Sequence, residues 1–192
     1  MTRFAKILIF LAFFLGSEVK GQEIDFGNYY DYTVTLSELN PLSDLEFGTL
    51  FQNQGTVNID ITEAKVLTLE GVRYLDVLVT ITADNNMVNT DMGCSGSCTI
   101  PFTLEAAYAN LGADNTGQST LMPVISNVAN AQFPILKRTS GAPGPPPTPV
   151  YEGYDPSLFN ETAYLYIYGS ITVGLVNAGT YSSTITVSVS YD

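Results

Sequence analysis

An all-β domain built as a two-sheet β-sandwich is the fold this chain predicts, and three observations predict it. Apolar residues fall at every second position in Ala163, Leu165, Ile167, Ile171 and Val173. They do so again in Ile185, Val187, Val189 and Tyr191, with Thr184, Thr186, Ser188 and Ser190 between them. A period of two marks a half-buried strand. The composition suits pleated surfaces, with 12 Tyr, 10 Phe and only 14% charged residues. Residues that favour turns also punctuate the chain at Asn40-Pro41, Asn53-Gln54-Gly55, Glu70-Gly71 and Asp84-Asn85-Asn86.

From the N-terminus, Arg3 and Lys6 precede an apolar run, Ile7 to Leu15, that is too short to span a bilayer. With Val19 and Gly21 as the small residues at −3 and −1, residues 1–21 read as a secretory signal peptide and Gln22 as the mature N-terminus. No cysteine stands directly after that point and no later apolar run has the length of a membrane span, so the expected product is exported and soluble. The mature chain keeps four basic and eighteen acidic residues, a net charge of −14. Such a surface repels phosphate backbones, which excludes nucleic acid as a partner, and disfavours anionic lipid.

Residues 22–40 form an N-terminal extended strip, followed by a sandwich domain over 41–192. Nine strands are expected: Tyr30–Leu39, Leu45–Leu50, Thr56–Ile61, Ala64–Leu69, Tyr74–Ala83, Thr99–Leu104, Gln132–Leu136, Ala163–Val173 and Tyr181–Tyr191. Asn177-Ala178-Gly179 predicts a hairpin between the last two. Leu104 to Leu111 is the one stretch with a trace of helical periodicity. Residues 139–156 hold Gly141, Gly144, Gly153 and six prolines, and cannot pair as an interior strand because proline lacks the N–H donor. They read as an exposed polyproline-like connection or as a proline-motif ligand. Cys94 and Cys98 bracket three residues, and in an exported chain they predict a disulfide that pins a loop.

Three stretches together resemble one family. Leu45-Glu46-Phe47-Gly48-Thr49-Leu50 with Gly55-Thr56-Val57-Asn58-Ile59-Asp60 is the first, and Tyr168-Gly169-Ser170-Ile171-Thr172-Val173-Gly174 the second. The third is Gly179-Thr180-Tyr181 through Val187-Ser188-Val189-Ser190-Tyr191. They resemble the pilin-like secreted domains of bacteria, a group that includes spore coat protein U-like domains and envelope proteins with an L-x-F-G strand start and a V-x-V-x-Y ending. The resemblance implies an immunoglobulin-like sandwich on the bacterial cell surface, acting as the structural subunit of a filament or appendage. It also implies a homopolymer in which one subunit's extended N-terminal strip completes its neighbour's sheet.

Ile24, Phe26, Tyr30, Tyr32, Val34 and Leu36 share one parity, with Asp25, Asp31, Thr33, Thr35 and Ser37 on the other. This strip reads either as the domain's own first strand or as a segment donated to a neighbour by main-chain hydrogen bonding. Tyr164, Tyr166 and Tyr168 share the face opposite Leu165 and Ile167, and read as cross-strand packing, a subunit interface or a sugar-stacking surface. A monomeric secreted module that binds glycan or a host protein is the alternative function.

Enzyme chemistry finds little footing. With no histidine in the chain, Ser-His-Asp, Cys-His and His-metal constellations are excluded, and no cofactor is expected. Asp44 with Glu46, and Asp60 with Glu63, read as solvated strand faces rather than paired acid–base catalysts. Asp84, Asn85, Asn86, Asn89 and Asp91 make an oxygen-rich stretch that reads as an Asx-rich turn, with calcium as the sharper alternative.

Overall fold

The structure, a computed structural model, describes residues 33–41, 44–137 and 160–192. The expected signal peptide, the strip residues Ile24, Phe26, Tyr30 and Tyr32, and the proline-rich loop 139–156 lie outside the described residues. The described chain is almost entirely strand, and it forms two sheets packed as a sandwich.

Twelve strands are present among the described residues: β1 Thr35–Glu38, β2 Gly55–Ile59, β3 Lys65–Val72, β4 Asp76–Ala83, β5 Asn86–Asn89, β6 Thr99–Ala109, β7 Thr120–Leu121, β8 Val124–Ile125, β9 Val128–Pro134, β10 Asn160–Val173, β11 Tyr181–Ser182 and β12 Ile185–Tyr191. The larger sheet runs β1-β3-β10-β6-β5-β11, with β2 also on β10 and β7 on β6; the smaller runs β12-β4-β9-β8. All pairings are antiparallel.

β10 is the axis of the larger sheet. One edge pairs with β6 from Tyr164 to Ile171. The other pairs with β3 from Asn160 to Ile167 and then with β2 from Gly169 to Val173. Asp60 to Ala64 therefore stand opposite the single residue Tyr168 and bulge out as a 3-10 turn over Ile61–Glu63. The core lies between the sheets. Leu67, Leu69, Phe102, Leu104, Leu165, Ile167 and Ile171 of the larger sheet meet Val77, Val79, Ile81, Ala129 and Phe133 of the smaller. Tyr108 and Phe133 stack across the gap, ring centroids 3.9 Å apart.

Several expectations are corrected here. Nine strands become twelve, because β5, β7 and β8 are too short to show a period of two. Leu45–Leu50 joins no strand ladder among the described residues and is broken by a left-handed Gly48 at φ 70°, while Leu104 to Ala109 continues β6 rather than turning helical. The stretch Tyr181–Tyr191 divides: β11 pairs with β5 in the larger sheet and β12 with β4 in the smaller. β10 and β12 are thus not a hairpin, and the chain crosses between sheets at Ser183-Thr184. Thr35–Glu38 pairs with β3 of its own chain, so Leu36 belongs to the domain's own first strand and Val34 packs on its core.

Two side chains stitch the sheets together. Ser126 and Asn127, at φ 52° and 59°, form a two-residue turn between β8 and β9 with both residues left-handed, the turn whose twist matches a hairpin. That turn aims the buried Asn127 carboxamide at β6, between the stretches where β5 and β7 pair. Its Oδ1 accepts from the Leu104 N–H at 3.0 Å, and its Nδ2 donates to the carbonyls of Phe102 at 2.8 Å and Asp84 at 3.2 Å. The side chain stands in for a missing strand. At the other end, the Tyr191 hydroxyl accepts from the Val72 N–H at 2.8 Å and donates to the Thr33 carbonyl at 3.2 Å. A Cβ on Gly71 would collide with that hydroxyl, which accounts for the glycine beside Val72.

Cys94 and Cys98 are joined, closing a short loop between β5 and β6. Asn177 holds that loop to the β10–β11 connection, its Nδ2 donating to the Ser95 carbonyl at 2.6 Å and its N–H to the Ser97 carbonyl at 3.0 Å.

Two outcomes follow for stability. Asn127→Gly keeps the left-handed backbone but strands a buried N–H and carbonyl, at a cost of about 3 kcal/mol, or a fall in Tm of about 6–12 °C. A shift under about 2 °C by calorimetry would show that Asn127 is not the bridge described. The double variant Cys94→Ser/Cys98→Ser should lose about 2 kcal/mol or less, because the closed loop is small and Asn177 still docks it. Global unfolding of that variant would refute a purely local role.

Candidate functional site

The smaller sheet has too few strands to cover the larger, and the shortfall is concentrated along β12. Ile185, Val187, Val189 and Tyr191 point inward with the parity of core residues yet stay only half-buried. Among the described residues β12 pairs with β4 alone, so its other edge presents main-chain N–H and C=O groups to no strand.

Facing that edge is a cleft of about 810 Å³. Its floor is core: Leu67 of β3, Phe102 of β6 and Ile167 of β10. Ile185 and Val187 form one wall, β1 the other, and Leu45 and Phe47 lie along it. Phe47 meets Phe102 edge-on, centroids 6.2 Å apart. A neighbouring cleft of about 760 Å³ shares Leu45, Glu46, Phe47, Met87, Thr180 and Tyr181 and continues toward Val176 and Ile171. Leu45 and Phe47 therefore stand where the two clefts meet, and with Leu50 they pack on the core as a partial plug.

The rim is polar. Lys65 is largely buried, with Nζ 3.0 Å from the Glu38 carboxylate and 3.0 Å from the Asn40 carbonyl, so the cation is matched before anything enters. Asp44 and Glu46 line the same rim. The Ser183 hydroxyl, also on the groove, is buried with no hydrogen-bond partner among the described residues. This arrangement sets a sheet edge that no described strand pairs beside a trough with an apolar floor and a polar rim.

The other sequence candidates fall elsewhere. Leu36, in the chain's own first strand, lines the cleft, and Val34, just before that strand, packs on the core. The tyrosine row is not an open surface: Tyr166 is 0% exposed and Tyr168 6%. They form a second cluster with Ile59, Ala107 and Ala109, onto which Ile61 and Ala64 of the bulge pack, and Tyr166 donates to Asp114 Oδ1 at 2.6 Å. Alternation alone made that face look solvated, because the bulge that covers it comes from another strand. In the oxygen-rich stretch, Asp84 Oδ2 accepts the Thr184 N–H, and Asn89 Oδ1 accepts the Asp91 N–H at 2.9 Å. Those oxygens are used on backbone, and among the described residues no three His, Cys, Asp or Glu side chains converge. The groove's floor and its β12 wall were not singled out from sequence, although the alternation of Ile185 and Val187 carried the signal.

Burial holds back ionisation of three phenols. Tyr166 is raised by burial and then by its bond to Asp114; Tyr168 by burial and then by Glu105 across the ladder; Tyr191 by burial, against the Val72 N–H. A raised phenol contributes stability that is complete below the ordinary tyrosine range, about pH 10, and is lost as pH rises through the folded value. Absorbance titration should therefore show Tyr166, Tyr168 and Tyr191 ionising above the ordinary tyrosine range, with melting temperature falling as they do. Tyr166, Tyr168 and Tyr191 ionising at the ordinary tyrosine value in the folded protein would contradict this burial.

No family model matches the chain, and neither a curated protein nor a solved structure matches it, so the functional reading rests on the geometry of the groove and edge.

Proposed function

We propose that this protein is the structural subunit of a bacterial extracellular filament or surface appendage, exported and then polymerised by strand addition between copies. The observation that carries this reading is the edge of β12 that no described strand pairs, beside a groove with an apolar floor, β12's own inward residues being only half-buried. A strand laid along that edge would take up its main-chain donors and acceptors and drop alternate side chains into the trough, the mode known as β-augmentation. The chain carries such a segment. Ile24, Phe26, Tyr30 and Tyr32 share one parity, with acidic Asp25 and Asp31 on the other. Residues 22–32 span about 36 Å when extended, against about 24 Å for the seven residues of β12, so the strip is long enough to cover the edge.

The assignment to a neighbouring copy rather than to the same chain is tested with Phe26→Asp in the mature protein. A carboxylate placed in an apolar trough costs several kcal/mol at every joint, so fibres seen by electron microscopy for the wild type should vanish. The melting temperature of the dispersed subunit should stay close to that of dispersed wild type, as for a surface substitution of about 0.5 kcal/mol or less. A variant that melts well below wild type in dilute solution would place the strip in its own domain. Dispersed wild-type particles would overturn the filament reading and favour a monomeric binding module.

A further inference from the structure

The plug in the groove has a counterpart elsewhere in the chain. It reads Asp44-Leu45-Glu46-Phe47-Gly48-Thr49-Leu50, and the N-terminal strip contains Glu23-Ile24-Asp25-Phe26-Gly27-Asn28-Tyr29. Position by position both run acidic, aliphatic, acidic, Phe, Gly, polar, then a large apolar or aromatic residue. They hold the two Phe-Gly pairs that the whole sequence contains. The first copy belongs to the strip proposed to reach a neighbour, and the second already lies in the groove. There Leu45 and Phe47 are half-buried, with Phe47 edge-on to Phe102, while Asp44 and Glu46 are exposed.

We infer that residues 44–50 are a resident stand-in for residues 23–29 of a neighbouring copy, so that assembly exchanges like for like. Ile24 takes the place of Leu45, Phe26 takes that of Phe47 against Phe102, and the resident leaves the groove. This rests on the strand-addition reading, and adds to it the register of the incoming strand and a gate that it must open. The way the resident is held makes the exchange one-sided. From Asp44 to Leu50 the main chain makes no hydrogen bond to any described residue, so its hold is the packing of Leu45, Phe47 and Leu50. An incoming strand brings matching side chains and also pairs with the open edge of β12. Charge does not oppose the exchange, since Glu23 and Asp25 restore at the rim what Asp44 and Glu46 carry away.

Two features keep the resident from becoming a strand itself. Gly48, at φ 70°, breaks the extended run in a conformation that glycine adopts freely. Just past it the chain is anchored, with the Asn53 N–H donating to the Gly174 carbonyl at 2.9 Å and Gln52 Nε2 to the Val176 carbonyl at 2.8 Å. Bent at Gly48 and held beyond it, the resident covers the apolar floor without taking up the edge. A subunit therefore stays covered until a neighbour arrives. The cover also taxes the incoming strand, because apparent affinity is the intrinsic affinity scaled by the fraction of subunits whose groove is open. Loosening the resident must then tighten the neighbour's grip.

The test takes the mature Phe26→Asp chain, whose own strip is disabled, as receptor. The ligand is a fluorophore-labelled peptide of residues 22–32, with binding read by anisotropy. Two further receptors carry one more change each. Phe47→Ala removes a resident side chain. Gly48→Ala places a Cβ at positive φ with nothing within 4 Å of it, which strains the resident without altering a contact. Both should bind the peptide more tightly, about tenfold for Phe47→Ala and about fivefold for Gly48→Ala. If residues 44–50 are instead a fixed wall of the groove, both variants bind the peptide equally well or more weakly, which overturns the inference and leaves strand addition standing. A peptide that binds none of the three receptors overturns strand addition and the inference with it. Calorimetry checks that each receptor is folded, and should Phe47→Ala unfold, Gly48→Ala, whose added methyl meets open space, decides the question alone.

Discussion

Unequal sheets are the constraint from which the rest of this structure follows. The larger sheet needs cover for one whole face, and β12, β4, β9 and β8 supply it fully only over β10 and β6, where Val77, Val79, Ile81 and Phe133 are buried. Past β4 the cover runs out. β12 sits at the margin with its inward side chains half-buried, and the unpaired stretch Leu45 to Leu50 is drawn over the opening instead of joining a ladder. An edge with main-chain groups to spare and a groove with apolar side chains to bury are two faces of one deficit.

A sandwich with an open side must be held elsewhere, and this one is held by polar bonds reaching across the gap. Asn127 satisfies β6 with a side chain where no strand pairs, Tyr191 spans from β12 to the end of β3, and Asn110 Nδ2 donates to the Pro134 carbonyl at 2.8 Å. Each is worth more in a buried setting than on the surface, because the backbone groups it serves would otherwise be left without a partner. Close approach has a steric consequence on β10 as well. Gly169 lies at φ 153°, and a Cβ there would run into the Thr103 carbonyl of β6, so the strand admits only glycine at that point.

The burial of the tyrosine row belongs to the same logic. β10 is covered on both faces over much of its length, inside by the smaller sheet and outside by the Asp60 to Ala64 bulge and by the loop bearing Asp114. With the outer side of β10 closed, the β12 edge with its groove remains open to other molecules.

Much of this molecule was determined by its sequence alone. Period-two alternation in Ala163 to Val173 and Ile185 to Tyr191 committed those residues to strands, since helix would scatter their apolar side chains around a cylinder. The spacing of Cys94 and Cys98 set their local bridge. Alternation states which residues share a face; it does not state what lies on that face. Only tertiary structure decided that Tyr166 is buried, and that Ser188, Thr80 and Thr82 share the outer face of the smaller sheet. It also decided that β10 and β12 part company into separate sheets, and that Leu45 to Leu50 plugs a groove. Each of those outcomes depends on partners distant in the chain, whose register is fixed by long-range pairing and by the number of strands each sheet can muster.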